Sequence, residues 1–77
     1  MQIIIVGCGK VGSTIAEQLS AEGHDITIVD TDESVVQALA TRLDIMGVTG
    51  NGATHYILAE AGVEEADLLI AVTESDE

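Results

Sequence analysis

Gln2-Ile3-Ile4-Ile5-Val6-Gly7-Cys8-Gly9-Lys10-Val11-Gly12 occupies the start of the chain. Residues 2–6 are apolar and β-branched and stop at a glycine, the pattern of a short buried strand. From Val11 to Glu22 the period changes. Val11, Ile15, Ala16 and Leu19 share one helical face, Glu17, Gln18 and Glu22 the other, and Gly23 stands where a helix ends. The glycines between strand and helix read G-x-G-x-x-G. That spacing alone is weak, but an acid, Asp30, follows 18 residues after Gly12 at the end of the next apolar run. Strand, helix and distal acid together make a dinucleotide-binding fingerprint. In it Gly7 permits the tight turn, Gly9 lets a pyrophosphate approach the backbone, and Gly12 lets the helix pack close to the strand. Backbone N–H groups at the helix start hold phosphate without cations.

Outward from this unit the alternation continues. His24-Asp25 lead into Ile26-Thr27-Ile28-Val29-Asp30, a second strand. Asp32 is a natural N-cap for a helix over Glu33–Leu43, with Val35, Val36, Leu39 and Leu43 facing inward. Ile45–Thr49 reads as a weaker third strand, Gly50-Asn51-Gly52 as a turn, and Thr54 as the cap of a short helix over His55–Ala61 closed by Gly62. Leu68–Val72 reads as a fourth buried strand, and Ser75-Asp76-Glu77 as the acidic first turn of another helix. The order β-α-β-α-β-α-β predicts an α/β fold: a Rossmann-like parallel sheet with right-handed crossovers and strand order 3-2-1-4. Residues 1–77 are thus expected to form one partial NAD-binding domain, truncated before its remaining strands.

Composition narrows the function. Fourteen acids face only Lys10 and Arg42, a formal net charge of −12. Phosphate-backbone affinity comes from clustered lysine and arginine, so nucleic acid is excluded as a partner, and an anionic membrane surface is disfavoured. No apolar run approaches the ~20 residues that span a bilayer, and the start has no basic region before its apolar run. These features, with the lone Cys8, predict a soluble cytoplasmic chain without a disulfide. The core must be aliphatic, since Tyr56 is the one aromatic residue. A domain of this size buries only ~60–65% of its unfolded surface, so a homo-oligomer or a longer parent chain is expected.

Asp30 is placed to take the two hydroxyls of an adenosine ribose and to repel a 2′-phosphate, while Thr31 and Asp32 supply no arginine to receive one. NAD(H) is favoured over NADP(H). ATP or ADP stays open at the same site, although no G-x-x-x-x-G-K-[ST] loop exists. Asp32 could be accounted for by capping alone. Catalysis has little to work with. His24 falls in a helix-to-strand turn away from the strand carboxyl ends and reads as solvated, His55 opens a short helix, and Tyr56 reads as packing. Cys8 fills a variable slot of the glycine loop without a histidine partner nearby. The reading is nucleotide binding and no enzyme.

At this level of detail the chain resembles the N-terminal nucleotide-binding domain (TrkA-N, or RCK/KTN) of the peripheral subunit of bacterial Trk/Ktr potassium uptake systems. The resemblance runs over the whole chain. It is carried by Met1–Gly12, Asp25–Asp32, Gly50-Asn51-Gly52-Ala53-Thr54, Ala61-Gly62-Val63-Glu64-Glu65-Ala66-Asp67 and Ala71-Val72-Thr73-Glu74-Ser75-Asp76-Glu77. It implies that Gly7, Cys8, Gly9, Lys10 and Val11 hold the pyrophosphate, Asp30 the adenosine ribose, and residues near Asn51, Gly52 and Ala53 the adenine edge, with Thr31 also in the cofactor-binding set. Thr73 and Glu74 would lie near the second ribose or nicotinamide. Where the family often has aspartate, Asn51 keeps an acceptor and loses a charge. The resemblance also implies a homo-oligomeric ring, peripheral to the inner face of the cell membrane, that gates an integral membrane potassium-translocating subunit by ligand-dependent rearrangement. The rivals are the cofactor half of an NAD-dependent dehydrogenase and a structural repeat that binds nothing.

Overall fold

A computed structural model of the chain describes residues 1–7, 9–50 and 55–72. Four strands, β1 (Gln2–Val6), β2 (Asp25–Asp30), β3 (Met46–Thr49) and β4 (Leu68–Ala71), form one sheet in the order β3-β2-β1-β4. All three pairings are parallel, with Val6 opposite Val29 and Ala71, and Asp30 opposite Thr49. Helices α1 (Lys10–Ala21), α2 (Glu33–Leu43) and α3 (His55–Glu60) make the crossovers. This is the Rossmann-like α/β fold that the alternation predicts.

Strand direction explains the layers. β1 to β2 to β3 steps one way across the sheet, so right-handed crossovers put α1 and α2 on one face. The step from β3 back past β1 to β4 reverses direction and sends α3 to the other face. Strand parity then builds two cores. Ile3 and Ile5 of β1 and Ile26 and Ile28 of β2 pack with Ala16 of α1 and Val36 and Leu39 of α2. Ile4 and Val29 point the opposite way and pack with Ala61, supported by Val6, Val48, Ile57 and Val63. Each buried isoleucine or valine contributes ~1.5–3 kcal/mol from area alone, and both faces of β1 and β2 are used.

Several expectations need correction. β4 is not a buried strand here: Leu68 is 44% and Leu69 45% exposed, because among the described residues only β1 lies beside it. Val11 is 60% exposed and not part of the inward face of α1. It sits in the first turn, past the point where β1 has ended, whereas Ile15, Ala16 and Leu19 lie over the strands. Tyr56 is 72% exposed and packs no core. A short 3-10 turn over Val63–Glu65, absent from the sequence reading, follows Gly62, whose φ of 89° bends the chain. The turn at Asn51-Gly52, the Thr54 cap and the helix start at Ser75 lie outside the described residues.

Candidate functional site

The carboxyl end of β1 is the topological switch point, since the chain leaves β1 to one side and returns to β4 on the other. Ligands of open α/β sheets bind at such a point. The turn there requires glycine twice. Gly7 has φ of 96°, a conformation L side chains rarely adopt, and a Cβ on it would strike the carbonyl oxygen of Val72. Its N–H donates to the Val29 carbonyl at 2.8 Å, and the Val72 N–H donates to the Val6 carbonyl at 2.8 Å. A Cβ on Gly12 would strike the carbonyl oxygen of Gly7. The start of α1 therefore lies directly against the turn that ends β1.

The start of α1 has no side-chain cap of its own. Its N-cap, Gly9, has no side chain and makes no side-chain cap hydrogen bond, and no acid lies in its first turn. The nearby hydroxyls turn back into the helix: Ser13 Oγ donates to the Gly9 carbonyl and Thr14 Oγ1 to that of Lys10, both at 2.9 Å. α2 is built the opposite way. Asp32 Oδ1 accepts from the Ser34 N–H at 3.1 Å and from Ser34 Oγ at 2.7 Å, and Glu33 lies in the first turn. In a chain with 14 acids, one helix start carries its own carboxylates and the other carries none. The helix dipole and first-turn N–H groups of α1 fit a phosphate.

Asp30 ends β2 beside this turn. Its backbone carbonyl accepts from the Gly50 N–H at 2.8 Å, and its Oδ1 accepts from the Asp32 N–H at 3.0 Å and, weakly, from Thr31 Oγ1 at 3.5 Å. The half-buried carboxylate is thereby held at the strand's end. Thr31, Asp32, Glu33 and Ser34 continue from it without a base. The structure thus gathers Gly7, Gly9, Lys10, Val11, Gly12, Asp30 and Thr31 at one end of the sheet. Cys8, Asn51, Gly52, Ala53, Thr73 and Glu74 lie outside the described residues. Val11, exposed in the first turn of α1, lies at the same end of the sheet.

His24 lies at the opposite end of the sheet, half-buried rather than solvated, with Nε2 3.6 Å from Glu22 Oε1. Asp32 has the capping role that could account for it. Sequence reasoning named Asp67 in a motif but missed its structural role. Its Oδ2 accepts from the Gln2 N–H at 2.8 Å, and its own N–H donates to the Gln2 carbonyl at 2.7 Å, fixing the register of β4 on β1. An acid directly before an apolar run was the available signal.

Comparison with known proteins places this geometry. The TrkA-N domain model matches residues 3–77. The chain belongs to the TrkA-N family. It is 54% identical over 77 residues to the Trk system potassium uptake protein TrkA of Halomonas elongata, covering all of this chain and 17% of that protein. It is 38% identical to a TrkA homolog of Methanothermobacter thermautotrophicus, with 36% of that protein covered. The TrkA-N domain of inner membrane protein ybaL from Escherichia coli superposes with a TM-score of 0.84 at 33% identity, over 91% of this chain and 51% of that one. This chain therefore spans a minor part of the length of the TrkA relatives it matches. No helix among its described residues is long and apolar enough to cross a membrane.

Proposed function

We propose that residues 1–77 are part of a larger nucleotide-binding domain in a potassium-uptake regulator, and that their ligand is NAD(H). The observation that carries this is the uncapped, acid-free start of α1 at the switch point, next to a fixed carboxylate at the end of β2. Gly7, Cys8, Gly9, Lys10 and Val11 hold the pyrophosphate, with Gly12 keeping the helix close. Asp30 and Thr31 take the adenosine ribose. Asn51, Gly52 and Ala53 take the adenine edge, and Thr73 and Glu74 the nicotinamide half. The names of the TrkA relatives supply the context of potassium uptake. In this reading the chain works in the cytoplasm, as a homo-oligomer peripheral to the membrane, and gates an integral potassium-translocating partner without consuming its ligand. Gating requires that nucleotide bind two arrangements of the assembly with different affinity.

Calorimetry with NADH, NAD, ATP and ADP tests the ligand. NADH binding at one per chain, with no NADH oxidation on prolonged incubation with carbonyl compounds, is expected. Tighter binding of ATP would replace NAD(H) as the ligand, and no binding of any of the four would remove the nucleotide reading.

A further inference from the structure

A groove of about 500 Å³ opens at the amino end of the strands, opposite the nucleotide end. Ile4, Thr27 and Met46 of the α3-side face contribute to its floor, and Ala61 and Gly62 form one wall. Met46 is 61% exposed there, a large apolar side chain on an edge strand. Asp25, Asp44, Glu60 and Glu65 stand around it, all exposed. Among the described residues His24, beside Glu22, is its one basic lining group, and neither lysine nor arginine lines it. Arg42, one of the chain's two strong cations, is 3.6 Å from Glu17 on α1.

We propose that this groove docks an extended, lysine- or arginine-rich segment of a partner protein. Charge complementarity selects the occupant. An acidic or nucleic-acid segment would meet four carboxylates and a net charge of −12, whereas a basic one is drawn in and its aliphatic stems cover the exposed Met46. Cytoplasmic segments next to membrane spans carry an excess of such residues, so a membrane-embedded partner would present the right chemistry. The inference rests on the proposed regulatory reading only for that source. Its place at the far end of the sheet lets the groove and the nucleotide site be filled together.

The probe is a short, labelled peptide of alternating lysine and leucine, followed by fluorescence anisotropy at about 0.1 M salt. The pair Glu60→Gln/Glu65→Gln is compared with Glu33→Gln/Glu64→Gln, which removes the same charge from exposed positions outside the groove. The groove pair should weaken the peptide about three- to tenfold and the control pair less than about twofold. Amide shifts on binding should centre on Gln2, Thr27, Met46 and Ala61. Equal weakening by the two pairs, or shifts centred on Gly7–Gly12, overturns the proposal. NADH titration of the groove pair should match wild type. If the peptide seats in the groove of a chain that binds no nucleotide, the groove stands and the nucleotide reading fails.

Discussion

Asp30 ends β2 with its Oδ1 held by the Asp32 N–H, so a ribose bound there meets a carboxylate whose position is already fixed. Charge-assisted hydrogen bonds to two hydroxyls are worth roughly 1.5–3 kcal/mol each at best, less the desolvation of the carboxylate. Asp30→Ala should weaken NADH by about 1.5–3 kcal/mol, roughly ten- to a hundredfold, and NADPH by less, since repulsion of a 2′-phosphate goes with it. Paired titrations at one salt concentration check this. Equal loss for both cofactors would mean that Asp30 acts through the fold. Gly12 belongs to the same scale but acts through space. Its Cβ position is filled by the carbonyl oxygen of Gly7, and backbone at a turn fixed on both sides yields little. Gly12→Ala should destabilise the chain by about 1–3 kcal/mol, as overpacking does. Thermal unfolding followed by circular dichroism reads the loss, and an unchanged midpoint would mean that α1 can move off β1.

Elements show why the two crossovers on the same face behave differently. α2 is closed by Asp32 and Ser34; α1 begins on a bare glycine. Asp32→Ala should therefore cost about 0.5–2 kcal/mol of stability, while leaving NADH affinity nearly unchanged. A large loss of affinity with intact stability would move Asp32 from the cap into the site. The contrast also marks what could be read from residues alone. The strands and helices, the glycine turn and the place of Asp30 at the end of β2 were legible because period 2, period 3.6 and G-x-G-x-x-G are local signals. Val11 was misplaced because helical period assigns a face but not where the strand beneath it stops. Burial of β4 was misread because Leu68-Leu69-Ile70 has the composition of a central strand, and composition carries no information about neighbours. The role of Asp67 was missed because its partner, Gln2, is 65 residues away. Long-range backbone pairing leaves no local trace.

At the scale of the whole molecule two opposing features meet. β4 leaves Leu68 and Leu69 nearly half exposed on a strand with one neighbour, and an open apolar edge is a template for pairing. A net charge of −12 on 77 residues pushes copies apart. The edge acts at contact, whereas the charge acts across a screening length of ~30 Å at 0.01 M salt and ~3 Å at 1 M. Salt should therefore decide which wins. Light scattering on the chain should show mainly monomer at low salt and dimers or larger species as salt rises. Leu69→Lys, which removes apolar area from the edge and adds a charge that pairing would have to strip of water, should hold the chain monomeric at high salt. Association that weakens as salt rises would mean that copies meet through charged groups, and association unchanged in Leu69→Lys would place the contact away from β4.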